Sequence, residues 1–158
     1  MLVMKGNLAR TYRALGRLEQ AVSLRRDVYL ASLKLLGEDD KDTIMEANNY
    51  AVCLVSLRHF EKARSLLRRM MPVARRVHGK SHETTLRMRW NYAGALYEDD
   101  GATLGDLRKA VTTLEETERI ARQVLGGAHP TTAGIEFSLQ EAQAALGARE
   151  TPSTPGTE

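Results

Sequence analysis

The chain has 158 residues, about one domain's worth, with 42% hydrophobic and 27% charged residues, a composition ordinary for a globular protein. No stretch approaches the roughly 18 unbroken apolar residues of a membrane helix, and Met1–Lys5 is too short and too soon polar for a secretory signal. The single Cys53 rules out an internal disulfide and fits a reducing compartment, so a soluble, cytoplasmic protein is expected.

The chain repeats itself. A shift of 42 carries Asn7-Leu8-Ala9 onto Asn49-Tyr50-Ala51 and then onto Asn91-Tyr92-Ala93. The first unit, 1–43, pairs a helix A around Leu8-Ala9 with a helix B bearing Leu18, Ala21, Arg25, Val28, Ser32 and Leu35, an apolar stripe with two polar interruptions. Its helix A begins almost at Met1 with no connector before it, which suggests a fragment or a missing preceding repeat. The connector LGEDDKDT (36–43) follows.

The second unit, 44–85, carries Ile44, Ala47, Tyr50, Ala51, Leu54 and Leu57 on helix A, then Phe60, Ala63, Leu67, Met70, Ala74 and Val77 on helix B. Pro72 lies inside that second helix, where its missing N–H should kink or locally open it. The connector is HGKSHETT (78–85). In the third unit, 86–132, the step lengthens to 47, because Asp99–Gly105 holds five extra residues and reads as a loop. Helix B then repeats as Leu107, Ala110, Leu114, Thr117, Ala121 and Val124, and LGGAHPTT (125–132) closes the unit. Residues 133–147 match a helix A alone, with Gln140 and Gln143 at packing positions, as a solvating cap would have. Residues 148–158 are Pro/Thr-rich and read as a disordered tail.

No window alternates as a strand does, so the chain reads as all-α. Alanines at equivalent places (Ala9, Ala51, Ala93; Ala21, Ala63, Ala110) allow close approach of paired helices. Such antiparallel pairs stack into an α-solenoid. In the third connector Gly126 ends helix B in a left-handed conformation, and Asp40, His82 and His129 stand where a side chain can cap the next helix A. Pro130 fits the first helical position, where its missing N–H costs nothing.

Little here nominates chemistry. Zinc needs about four converging ligands, while Gly79 separates His78 from His82, and the copy one repeat earlier has Leu36 and Asp40. Cys53 has no histidine spaced to activate it, and the glycines at 126 and 127 follow a helix with no GKS/T after them. The expectation is no enzyme activity, no cofactor and no metal. Charge is uneven: ten Lys/Arg lie between Arg58 and Arg89, and seven acids between Glu98 and Glu118. Arg68, Arg69, Arg75 and Arg76 on helix B give an alternative function, nucleic-acid binding on the convex face, although no aromatics interleave. The complementary acidic stretch points instead to head-to-tail self-association.

The paired Leu/Tyr-Ala and Ala positions, the 42-residue period and the LG-x-x-H-P-x-T connector resemble the tetratricopeptide (TPR) repeat of the kinesin light chain type, over residues 1–147. The resemblance implies three TPR units and a cap, acting as a non-catalytic binding scaffold. Arg58 departs from it, standing where the family has a turn glycine, as at Gly16. It also implies an inner groove on the A helices: Gly6, Asn7, Arg10, Arg13 and Ala14, then Asn48, Asn49, Val52, Val55 and Ser56, then Trp90, Asn91, Gly94, Tyr97 and Glu98. Asn7, Asn49 and Asn91 form a row ending in Ser138, able either to hold a peptide backbone or to bond neighbouring helices. Arg10, Arg13, Arg87 and Arg89 near that groove would favour an acidic peptide. Trp90 reads equally as a stacking anchor or a core ring.

Overall fold

The computed structural model describes residues 2–151. They form seven helices: α1 (Leu2–Ala14), α2 (Leu18–Leu36), α3 (Lys41–Ser56), α4 (Phe60–His78), α5 (Glu83–Tyr97), α6 (Leu104–Leu125) and α7 (Pro130–Glu150). No strand occurs among the described residues. Each helix packs on its neighbours in the chain, and α3 also packs on α5 and α5 on α7. Helices α3, α5 and α7 therefore make a close inner layer, while the even-numbered ones stand apart on the outer side. The chain is an all-α solenoid of antiparallel helix pairs.

The alanines at the helix crossings are sealed: Ala21, Ala51, Ala63, Ala93 and Ala110 are all 0% exposed. Ile44, Leu67, Leu86, Met88, Leu114 and Ile135 fill the space between layers and are fully buried. Burying each such side chain contributes about 1.5–3 kcal/mol.

The connectors act as expected, with one correction. Gly37, Gly79 and Gly126 have φ of 89°, 92° and 90°, but ψ of 172°, 162° and 156°. This is not the left-handed helical cap expected at Gly126. It is an extended mirror region that only glycine occupies without strain, so these positions are more strictly glycine than a left-handed cap would require. Asp40, His82 and His129 then cap α3, α5 and α7, their side chains accepting from the N–H of Asp42, Thr84 and Thr131. Pro130 takes the first helical position.

Each later A helix begins earlier than the boundaries 44, 86 and 133, at Lys41, Glu83 and Pro130. The cap helix ends later than 147: residues 148–150 are helical, and 152–158 lie outside the described residues. The third unit's loop is also shorter, because Leu104 and Gly105 already belong to α6 behind a Thr103–Asp106 capping box. Pro72 does not interrupt α4, which stays helical from Phe60 to His78. The proline lies on the exposed side, where water can take the carbonyl its missing N–H leaves free. Arg58 adopts φ 59°, the left-handed turn conformation that Gly16 adopts at φ 73°.

Candidate peptide-binding groove

The inner layer presents rows of side chains that repeat from one A helix to the next. One row runs Gly6, Asn48, Trp90 and Phe137, and the adjacent row Asn7, Asn49, Asn91 and Ser138. The two rows bond across repeats. Asn91 donates Nδ2–H to Oδ1 of Asn48 at 2.8 Å, and Trp90 donates its indole N–H to Oγ of Ser138 at 2.8 Å. At the first junction Gly6 has no side chain to offer. Asn49 instead lies 3.5 Å from Glu46, whose other oxygen pairs with Arg25 at 2.9 Å.

That Arg25–Glu46 pair, with side chains 12% and 13% exposed, explains one polar interruption in the first helix B stripe. The guanidinium fills the space beside Gly6, 3.2 Å from where a Cβ would stand. Sequence reasoning marked Arg25 as an interruption but missed its partner. The signal was present in the missing side chain at position 6 opposite an arginine.

Of the two readings of the Asn row, the link to neighbouring helices holds for Asn91 and Asn48, the latter only 6% exposed. Asn7 is exposed and Asn49 half-buried, so their amides face the groove more freely. Trp90 is half-buried and its ring lies against Gly134 of α7, which makes it an inter-helix ring. Its counterpart Phe137 is 61% exposed and supplies the accessible aromatic of this row. A step of 47 from Trp90 would have found it.

Charge grades along the groove. The third row reads Arg10, Val52, Gly94 and Glu141, and the next two begin with Arg13 and Ala14 on α1 and include Tyr97, the last residue of α5, and Glu98, which follows it. Arg10 and Arg13 are exposed, and among the described residues neither has a carboxylate within 4.0 Å. Val52 is half-buried between the two ends. At the far end, desolvation and Glu141 raise the carboxyl of Glu98, while burial raises the Tyr97 phenol against a hydrogen bond with Ser138. Arg87 is exposed and stands 4.0 Å from Glu83. Arg89 does not line the groove as expected. It turns outward and bonds Glu116 of α6 at 2.6 Å.

The other expected features resolve locally. Cys53 is buried and free, and burial raises its thiol pKa. His78 and His82 stack with ring centroids 4.3 Å apart, and His82 directs Nδ1 at a backbone N–H. In the convex arginine stripe, Arg68 pairs with Glu61, Arg69 with Glu38 and Arg76 with Asp39. The acidic stretch is likewise paired within the chain: Asp99 with Arg64, Asp100 with Arg58 and Glu118 with Arg122. Part of the charge asymmetry that suggested a contact between chains is thus paired inside one chain. No described helix is long and apolar enough to cross a membrane.

Residues 1–73 match the tetratricopeptide repeat family. No curated protein matches the chain. Two solved structures of a Podosopora anserina protein, named for a kinesin light chain with nearly identical TPR-like repeats, are similar at 23% and 24% identity. Both cover 94% of this chain and 68% of their own, with TM-scores of 0.74 and 0.71. BtubC (BKLC) from P. vanneervenii is similar at 16% identity, covering 99% of this chain and 67% of its own, with a TM-score of 0.69. Repeats of this kind indicate a protein–protein interaction scaffold and are typically non-catalytic. The chain thus carries tetratricopeptide repeats over residues 1–73 and shares its fold with these kinesin light chain-like repeat structures.

Proposed function

We propose that the inner groove holds an extended peptide whose acidic end lies over α1 and α3. The observation that carries this reading is the graded row Arg10, Val52, Gly94 and Glu141, basic at one end and acidic at the other. Arg10 and Arg13, exposed and without a carboxylate partner among the described residues, are suited to carboxylates, which guanidiniums engage by two parallel hydrogen bonds. Asn7 and Asn49 each carry a donor and an acceptor and would hold the peptide backbone whatever its side chains. Trp90 is already engaged, so an apolar peptide side chain would rest on Phe137 instead. Glu98 and Glu141 would repel acid at that end, which fixes the direction of the bound segment.

The test is an array of short peptides, identical in composition, with their acidic residues grouped at either end. Peptides with one grouping should be retained, and retention should fall with Asn49→Ala and with Arg10→Glu. Capture that ignores the placement of acids would remove the reading.

A further inference from the structure

We propose that the outer cleft between α4 and α6 is a binding site for a small organic phosphate. This site lies on the opposite layer from the peptide groove and does not depend on it. The cleft encloses about 460 Å³, the size of a small-molecule site, and α5 forms its floor. Five cations line it, among them Arg75, Lys80 and Lys109, against one carboxylate, Glu116.

The chain contains its own comparison. One repeat earlier, the corresponding cleft between α2 and α4 is filled. Tyr29, 4% exposed, packs there with its ring 6.1 Å from that of Tyr50, and Leu33 and Leu66 pack against the same core. The steps of 42 and 47 replace Tyr29, Leu33 and Leu66 by Met71, Arg75 and Thr113. An aromatic ring and two branched apolar side chains give way to a thioether, a guanidinium and a hydroxyl, and a cavity opens.

The ion pair is rearranged too. The first cleft is bridged by Arg69 and Glu38 at 2.8 Å. Their counterparts are Glu116 and Lys80, with signs exchanged. Glu116 is taken instead by Arg89, where the earlier repeat has Ala47. That contact, together with Arg119 and Arg75, lowers the Glu116 carboxyl and keeps it ionised. Among the described residues, Arg75, Lys80 and Lys109 have no carboxylate within 4.0 Å. The cations therefore converge on an open space with little to neutralise them.

A multiply charged anion meets such a set best, because guanidinium forks and ammonium groups can share its oxygens. The remaining lining is not polar: Met71, Pro72 and Tyr92 would contact an organic body attached to the phosphate. The Lys109 ammonium already stands 5.3 Å from the Tyr92 ring centroid, at the boundary of the two surfaces.

Calorimetric titration of phenyl phosphate and of tripolyphosphate into the chain tests the site. Phenyl phosphate should bind saturably at one site. Arg75→Leu with Thr113→Leu refills the cleft with residues that the preceding repeat already accommodates, and should weaken binding about tenfold or more. Lys80→Glu, which leaves the cleft open, should weaken it comparably, while Arg76→Ala, next to Arg75 on α4, should leave it unchanged. Absence of saturable binding by either probe overturns the proposal. So does equal weakening by Arg76→Ala, which would mean diffuse attraction to the outer face. A short single-stranded oligonucleotide that binds more tightly, and is lost equally from Arg69→Ala and Arg76→Ala, would replace it with nucleic-acid binding.

Discussion

Trp90 and Gly134 lock α5 to α7. The indole occupies the space that any side chain at position 134 would need, with Cζ2 2.7 Å from the place of a Cβ, while its N–H bonds Ser138 on the same helix. A bulky ring on one helix therefore demands a bare backbone on the other.

Gly134→Ala should destabilise the fold by about 1–3 kcal/mol, the usual cost of overpacking, even though alanine is the better helix former. Urea unfolding followed by circular dichroism checks this. Adding Trp90→Leu should recover part of the loss, since the smaller side chain leaves room for the methyl. If both single variants lose stability and the double variant loses their sum, the two residues do not share this space.

Arg58 holds a left-handed conformation, φ 59°, that costs a side chain about 1–2 kcal/mol. Its pair with Asp100 is exposed and worth little, and its guanidinium stands over the Phe60 ring at 5.1 Å. Arg58→Gly should therefore unfold at the same or higher urea concentration than the natural chain. Arg58→Ala keeps the strain and loses both contacts, and should fall about 1 kcal/mol below the glycine variant. Equal midpoints for Gly and Ala would mean that the turn is unstrained.

Burial, His82 and Lys41 hold the His78 imidazole below its ordinary pKa of 6.5. Folding then favours the neutral ring. Its contribution is complete above pH 6.5 and is lost as pH falls from there through the lowered folded value. Unfolding free energy measured at several pH values should therefore drop more steeply below neutrality than in His78→Leu, which puts at this position the residue that the preceding joint has as Leu36. Parallel pH profiles would contradict this.

Much of the fold was legible because its punctuation is local. A glycine, a capping residue and a proline within eight positions stop one helix and start the next, and no distant contact is needed to read them. The cap residues Asp40, His82 and His129 were found this way. The side-chain partners were not, because a repeat offset places residues on helices without saying which way each turns. Arg89 was expected in the groove and instead reaches Glu116 across the outer cleft. Asn91 was open to two readings, and its bond to Asn48 depends on a helix separation that no spacing records. The arginines of α4 looked free until the connector acids Glu38 and Asp39 folded against them. The groove was legible in outline, since its rows follow from the repeat, whereas the engagement of Trp90 and the exposure of Phe137 needed the position of α7.

The graded charge of the inner groove is the central claim, and reversing it at one end tests it most directly. Calorimetry would compare one retained acidic peptide titrated into the natural chain and into Arg10→Glu with Arg13→Glu. Both sites are exposed and unpaired among the described residues, so the variant should fold normally while its affinity falls about a hundredfold or more, as loss of two charge-assisted contacts implies. Unchanged affinity in a folded variant would contradict the account and move the peptide off this groove.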